Sequence, residues 1–389
     1  MIHVLHVGKY YPPAPGGMER VVQLLCEGEQ PLISSAVLAA NTASRTVHEM
    51  VHGVPVTRVA SIASIGSVGV CPTFPIALAR AQRDLTVIHE PNPLALASDF
   101  LARQNGPLVV WFHSEVLRPR WKYRLLYRPF LRRVLDRAAR IVVSSPNLAA
   151  SAEELAGHQS KCVVIPFGIE PRRFALTPDV EARASSLRER HGSRPIVLFV
   201  GRLVPYKGVN VLLEAVRNLD VTAVVVGNGP LRSSLEAQAA GDPRVVFAGD
   251  VDEDTLVAWY RASDVFVLPS VTRAEAFGMV QLEAMASGRP VVSTRLDSGV
   301  PWVNRDRETG FVVEPGDAPA MRDAIALLLR DARLRTAMGA AGAARVAADF
   351  TVTRMAERTV ALYQQVLAEA VAGGRVAAVT GPTSAAAAK

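Results

Sequence analysis

Short apolar runs alternate with segments of helical period along the whole chain. The first series reads IHVLHV, SAVLAA, VTRVA, TVIHE, LVVWFH, IVVSS and CVVIPF. A polar stretch follows, GIEPRRFALTPDVEARASSLRERHGSRP, and the runs then resume as IVLFVG, TAVVVG, VVFAG, DVFVLPS, PVVST and GFVV. Runs that are apolar at consecutive positions suit strands covered on both faces, and strands alternating with helices imply parallel sheets. The restart beyond the polar stretch predicts two doubly wound α/β domains, with a boundary near residues 168–193. Ligands of such sheets sit at the carboxyl ends of the strands, so two domains facing each other would leave a cleft there. A helical stretch from about Met321 to Ala368 closes the pattern. The Ala/Gly-rich tail AVAGGRVAAVTGPTSAAAAK is expected to be disordered.

Length supports the two-domain reading, since 389 residues exceed one ordinary domain. A hydrophobic content of 49% with 20% charged residues excludes a disordered chain. Cys26, Cys71 and Cys162 are scattered without a CxxC pair, which argues for a reducing compartment and against disulfides or a thiolate metal centre. MIHVLHVGKYY reads at once as a strand, with no signal-peptide pattern, and no apolar run reaches the roughly 18 residues a bilayer span needs. The expectation is a cytoplasmic chain.

Charge adds one feature. The net charge of +7 suits anionic ligands or an anionic surface. The excess concentrates in LRPRWKYRLLYRPFLRRVLDRAAR, residues 117–140, with nine basic residues and one acid, Asp136. Aromatic and aliphatic side chains interleave with them. Two readings stand: a basic amphipathic helix lying on anionic lipid, or a solvated helix face over a core. No nucleic-acid-binding signature accompanies the charge, so nucleic acid is not an expected partner.

Four stretches could carry chemistry. In EAFGMVQLE, Glu275 follows the strand DVFVLPS, expected to end at Ser270, and Glu283 lies within a helix expected over Phe277–Ala286, with Gly288 closing it. A core has no use for two carboxylates, whereas a polyol takes two acceptors. The helix start at Ala276, Phe277, Gly278 and Met279 offers N–H groups to a phosphate or sugar oxygen. A capping acid and a solvated helix residue would give the same spacing. In GRLVPYKG, Arg202 and Lys207 share one loop after the strand IVLFV; a rigid fork and a movable point charge suit a diphosphate.

In YPPAPGGMERV, Gly16 and Gly17 let the backbone approach an anion at a helix start. This is not GxGxxG, and no P-loop occurs, which excludes a nicotinamide fingerprint and a Walker motif. VVVGNGP is a further Gly-containing strand end that could line a nucleoside pocket, with a simple turn as the preferred reading. His113 in LVVWFHSE stands at a strand's carboxyl end, and His89 and Glu90 in TVIHEPNPLA occupy a comparable place. They come from separate strands without a helical His pair, so no metal is expected. Asp252–Asp254 looks like a metal-binding DxD but precedes a helix, where an N-cap and dipole-matched acids explain it.

Taken in order, the Gly-Gly turn, the His of WFHSE, the GRLVPYKG loop and the Glu-x7-Glu of EAFGMVQLE resemble glycosyltransferase family 4, the retaining nucleotide-sugar transferases of GT-B fold. The similarity covers all but the tail. It implies an acceptor-binding domain over 1–170, with 350–370 packing back on it, a donor-binding domain over 190–349, and a free tail over 371–389. It further implies that Arg202 and Lys207 hold the donor diphosphate and that Gly17 closes onto it. Glu275 and the N–H groups of Phe277, Gly278 and Met279 would hold the transferred sugar. Glu283 would accept from the ribose, and His113 would orient the sugar near the reacting carbon. No cofactor and no metal would be required, the cations serving instead. The wording around Glu275 resembles bacterial surface-polysaccharide enzymes, several using GDP-mannose, which would make the acceptor a saccharide, free or polyprenyl-diphosphate-linked. A UDP-sugar donor and a nucleotide-sugar 2-epimerase remain as alternatives.

Overall fold

Two sheets carry the chain in a computed structural model that describes residues 1–14, 16–65, 68–102, 106–115, 127–192 and 194–374. The contacts divide it into two compact units. The first comprises Met1–Ser144, Ala152–Pro166 and the chain from Val352 onward; the second comprises Ser145–Ser151 and Phe167–Thr351.

The first unit holds β1 (His3–Val7), β2 (Ser34–Ala40), β3 (Val47–Val51), β4 (Val54–Val59), the small pair β5 (Ala63–Ile65) and β6 (Val68–Val70), β7 (Leu85–Glu90), β8 (Leu108–Phe112), β9 (Arg140–Val143) and β10 (Cys162–Val164). The main sheet has the order β10-β9-β8-β7-β1-β2-β4-β3. All its pairs are parallel except β3 with β4. Parallel pairing needs a crossover helix, and the sequence supplies one between most strands. β7 is buried at every position and so is β8, the expected signature of strands covered on both faces. The antiparallel β3 departs from the expected all-parallel pattern. Its middle residues, His48, Glu49 and Met50, are exposed, and a charged, partly solvated edge strand carries no continuous apolar run to announce it.

The second unit holds β11 (Ile196–Val200), β12 (Thr222–Val226), β13 (Val245–Gly249), β14 (Val265–Leu268), β15 (Val291–Thr294) and β16 (Gly310–Val313), wholly parallel in the order β13-β12-β11-β14-β15-β16. Its core joins Val197, Phe199, Leu212, Val225, Val267 and Ile325. Each such side chain contributes about 1.5–3 kcal/mol relative to exposure.

Three expectations shift. The polar stretch after Phe167 is no free linker: Pro178–Arg190 is helical, capped by Thr177 accepting from the Val180 N–H, and lies in the second unit. Arg183 pairs with Asp254, and Arg188 with Asp264, beside the helix Glu253–Ala262. Its polarity reflects an exposed face, not a missing element. Second, DVFVLPS ends as a strand at Leu268 rather than Ser270. Third, the following helix begins at Met279, because Gly278 takes a left-handed conformation, φ 73°, as its N-cap. The closing helix Val352–Ala372 belongs to the first unit and packs on the helix Gly17–Glu29, where a Cβ on Gly28 would meet Val352 Cγ1 at 2.9 Å. Residues 117–126 of the basic segment and 375–389 of the tail lie outside the described residues.

Candidate active site

In the second unit, two loops at neighbouring strand ends are locked together by backbone. The loop after β11 turns through Pro205–Lys207 to Gly208, whose φ is 65°. A Cβ on Gly208 would stand 2.1 Å from the Pro269 carbonyl oxygen, so only glycine permits this approach. The Val271 N–H then donates to the Tyr206 carbonyl at 2.8 Å. On the other side, the loop of VVVGNGP packs against the same segment: the Leu203 N–H donates to Asn228 O at 2.8 Å, and a Cβ on Gly229 would meet Leu203 O at 2.4 Å. The glycines read as a simple turn are a packing requirement between loops.

This arrangement buries Lys207 against Glu275. Nζ lies 2.6 Å from Oε2, with about a tenth of either side chain exposed. Ser270 Oγ donates to the same Oε2 at 2.9 Å, and Thr294 Oγ1 donates to the Ser270 carbonyl. Burial pulls the Lys207 ammonium down, but Glu275, Tyr206 and Glu283 outweigh it and hold the group above its ordinary value. Lys207 is therefore charged at neutral pH. Arg202, in the same loop, is exposed and makes no side-chain hydrogen bond or ion pair among the described residues.

Beyond Glu275 the chain is pinned by aromatic packing. Phe277 is buried against Phe167, Phe350 and Trp302, and the Gly299 N–H donates to Ala276 O at 2.7 Å. The N–H groups of Ala276, Phe277, Gly278 and Met279 have no acceptor among the described residues. They form a run of donors at a helix start. Glu283, half-buried one turn on, accepts from Tyr260 Oη at 2.8 Å; Tyr260 is fully buried, and burial with Glu283 pushes its phenol well up.

Gly16, Gly17 and His113 belong to the first unit. Gly16 is the N-cap of the helix Gly17–Glu29, and the Glu19 carboxylate lies over it, so close that a Cβ on Gly16 would meet Oε2 at 1.9 Å. The helix end expected to receive an outside anion thus holds one of its own. Gly17 has open space around its Cα. His113 follows β8, its N–H donating to Glu90 O at 2.9 Å. Its ring is nearly buried, and burial lowers its pKa to about 3, so the imidazole is neutral. Next to it, Glu90 accepts from Tyr127 Oη and from the Asn92 N–H, and burial raises its carboxyl to about 7. Asp252 caps the helix Glu253–Ala262, its Oδ1 accepting from the Thr255 N–H at 2.8 Å.

Family models match both halves, one described as "Glycosyltransferase Family 4" over residues 15–173 and one as "Glycosyl transferases group 1" over residues 194–331. The chain is 36% identical over 361 residues to the D-rhamnosyltransferase WbpZ of Pseudomonas aeruginosa, covering 90% of this chain and 92% of that protein. It is 31% identical to the O-antigen chain mannosyltransferase C of Escherichia coli, covering 94% and 99%.

The chain belongs to glycosyltransferase family 4.

Among solved structures, this glycosyltransferase matches sucrose-phosphate synthase from Thermosynechococcus elongatus with a TM-score of 0.78 at 24% identity, over 95% of this chain and 100% of the other. Anabaena HepE, solved in complex with UDP, matches with a TM-score of 0.75 at 20% identity, over 94% and 100%. The fold is GT-B, and the protein is a hexosyltransferase enzyme.

Of the residues singled out by sequence, Lys207 and Glu275 are in direct contact, with Arg202, Ala276, Phe277, Gly278, Met279 and Glu283 on the same unit. Sequence reasoning missed Ser270 and Tyr260 as partners of the two glutamates. Tyr260 lies in the helix expected after Asp252–Asp254, where its hydroxyl is indistinguishable from that of any amphipathic helix. His6, in the first run, was missed as a companion of His89 and His113.

Proposed function

We propose that this enzyme transfers a hexose, with mannose from GDP-mannose as the first donor to test, onto a saccharide or lipid-linked saccharide of a cell-surface polysaccharide, retaining the anomeric configuration. The observation that carries the reading is the buried Lys207–Glu275 pair at the carboxyl ends of β11 and β14, with exposed Arg202 in the same loop. The two relatives named for rhamnosyl and mannosyl transfer, matched over nine-tenths of the chain, support the sugar class.

In this reading Lys207 and Arg202 hold the donor diphosphate. Glu275, fixed by Lys207 and Ser270, keeps Oε1 for a sugar hydroxyl. The N–H groups of Ala276, Phe277, Gly278 and Met279 meet further oxygens. Glu283 accepts from the ribose while Tyr260 fixes its other side. For the first unit, considered by itself, the reading assigns a phosphate contact to Gly17 and a sugar contact to His113. Charge developing on the departing nucleotide is stabilised by the two cations, a type of contribution worth about 3–4 kcal/mol for each well-placed group. No side-chain nucleophile is assigned, in keeping with front-face substitution in which the leaving phosphate assists removal of the acceptor proton, and no metal takes part.

Among the described residues no helix is long and apolar enough to cross a membrane. A peripheral membrane role is proposed for residues 117–140. The described part, the helix Arg128–Arg137, leaves Arg128, Arg132 and Arg133 exposed, beside the exposed Phe100 and Leu101.

A thermal-shift screen with GDP-mannose, UDP-glucose, UDP-N-acetylglucosamine and their nucleoside diphosphates tests the donor. Stabilisation by GDP and GDP-mannose above the UDP series is expected, and Arg202→Ala should abolish it. A response to UDP compounds alone would replace the donor, and no response to any would remove the reading.

A further inference from the structure

One polar residue of EAFGMVQLE has no part in the contacts described so far. Gln281 stands between the two glutamates, in the first turn of the helix Met279–Ala286, and has no exposed surface. Its Nε2 donates to the Phe277 carbonyl at 2.6 Å, while its Oε1 is buried without a hydrogen-bond partner among the described residues. The amide cannot be turned round. A carbonyl oxygen only accepts, so the group facing Phe277 O must be the NH2.

A buried amide with its oxygen unpaired is a poor core residue, and methionine or leucine would fill the space without that cost. The one bond Gln281 does make falls on a carbonyl that nothing else serves. Phe277 lies before the helix, and no main-chain N–H among the described residues reaches its oxygen.

Peptide geometry turns this bond into an aiming device. In a trans peptide the carbonyl and the following N–H point in opposite directions. Three successive carbonyls are held here: Ala276 O by the Gly299 N–H at 2.7 Å, Phe277 O by Gln281 Nε2, and Gly278 O by the Gln281 main-chain N–H at 2.9 Å. The N–H groups of Phe277, Gly278 and Met279 are thereby turned away from these partners. They are also groups left without an acceptor among the described residues. Gln281 thus holds two of the three planes, the middle one through its side chain. Gly278, at φ 73°, makes room for it. A Cβ there would meet Leu268 Cδ2 at 2.6 Å and Gln281 Nε2 at 3.1 Å.

We infer that Gln281 is a positioning residue whose side-chain amide fixes the Phe277–Gly278 peptide plane and so aims the Gly278 N–H at an oxygen of the nucleotide-sugar donor. A donor held in place beforehand needs no reorganisation as charge develops, which is why a core position carries an amide at all. The presence of a donor oxygen there rests on the proposed function; the fixed plane does not.

Assigned nitrogen-15 spectra of the full-length protein test both parts. In the wild type one Gln281 side-chain amide proton should exchange slowly, and GDP-mannose should shift the Gly278 and Met279 amides. Gln281→Met exchanges one orphaned oxygen for another, so it should unfold within roughly 3 °C of wild type. In that variant the Gly278 response should be lost and the Met279 response kept, because the main-chain bond to Gly278 O survives. Transfer per folded molecule should fall roughly 10- to 100-fold, as for a misplaced contact. The isosteric Gln281→Glu provides a second arm. Its ionised carboxylate sets oxygen against the Phe277 carbonyl, whereas the protonated acid donates to it, and burial raises the pH at which the proton is held. Its transfer relative to wild type should therefore recover as pH falls from 8 to 6, while that of Gln281→Met stays flat.

Full transfer by either folded variant at pH 8, or an unchanged Gly278 response in Gln281→Met, would overturn the inference. So would rapid exchange of both Gln281 side-chain protons in the wild type. A wild-type chain with the slow Gln281 proton whose Gly278 and Met279 amides ignore GDP-mannose and the UDP-sugars alike would keep the fixed plane and remove the proposed function instead.

Discussion

At the scale of single residues, the Lys207–Glu275 contact serves stability and chemistry through the same atoms, and the two can be separated. Removing one partner of a buried ion pair leaves the other charge uncompensated, at about 3–5 kcal/mol. Lys207→Met and Glu275→Leu alone should each lower unfolding free energy by roughly that amount and cut transfer at least ~100-fold. The double variant should regain most of the stability, because both charges are gone, and none of the transfer. Denaturant unfolding of the three variants beside a transfer assay checks this; a double variant as unstable as the singles would show that the pair is not the source of the cost. Both residues were legible in the sequence from their strand-end loops. Their contact was not, because it depends on Gly208 admitting Pro269 O at close range, a fact of tertiary packing.

Glu90 gives a second residue-level test. Burial raises its folded pKa to about 7, above the ordinary 4.5. Between those values the folded chain keeps a proton that the unfolded chain has lost, so stability falls as pH rises through this window. The contribution is present in full below the unfolded value and is lost above about pH 7. Glu90→Gln preserves an acceptor for Tyr127 and the Asn92 N–H without a titrating group. Its stability relative to wild type should therefore rise by on the order of 3 kcal/mol between pH 4.5 and 8. Parallel unfolding-versus-pH curves would expose the absence of this effect.

Elements were legible to the extent that water is excluded from both their faces. β7, β8, β11 and β12 are buried at every position and were all read from continuous apolar runs. The edge strand β3 and the helix Pro178–Arg190 were not, since an element with one solvated face and little apolar sequence looks like a linker. The histidines His6, His89 and His113 left a weak signal of their own: a lone imidazole near the end of an aliphatic strand has no water to satisfy it, and a neighbouring strand must supply a partner. Only three such strands side by side make a row, His6 to His89 to His113, and strand order is not written in any one of them. Loops between elements are held by glycine instead. Gly208→Ala adds a Cβ 2.1 Å from a backbone oxygen at φ 65°, whereas Gly53→Ala, at φ 82°, meets nothing within 4 Å. The first should cost at least ~2 kcal/mol and most of the transfer, the second about 1 kcal/mol and no transfer. Equal losses in thermal unfolding would mean that the two loops are not locked through Gly208.

On the scale of the whole molecule, a net charge of +7 has a sign but no address; the address comes from where the cations stand. The helix Arg128–Arg137 buries Leu131, Val134 and Leu135, so the solvated-face reading of the basic segment holds for its inner side. Its outer side is poorly neutralised: Arg132 reaches Asp136 only at 4.0 Å, while Arg133 lies 5.3 Å over the exposed Phe100 ring. Exposed pairs of that kind contribute little to folding, so these arginines can be reversed without unfolding the chain. A basic residue at an anionic lipid surface is worth about 1 kcal/mol, and the attraction decays within a Debye length. If this face rests on lipid, Arg132→Glu with Arg133→Glu should weaken binding to phosphatidylglycerol-containing vesicles at least ~10-fold at 0.1 M salt. The same vesicles should lose the wild-type protein as salt rises toward 1 M, while neutral phosphatidylcholine vesicles bind neither form. Soluble-acceptor turnover should be unchanged in the variant, because the charges act on docking and not on transfer. Equal flotation of both forms on anionic vesicles would assign the arginines to solvent, and with them the membrane role of residues 117–140.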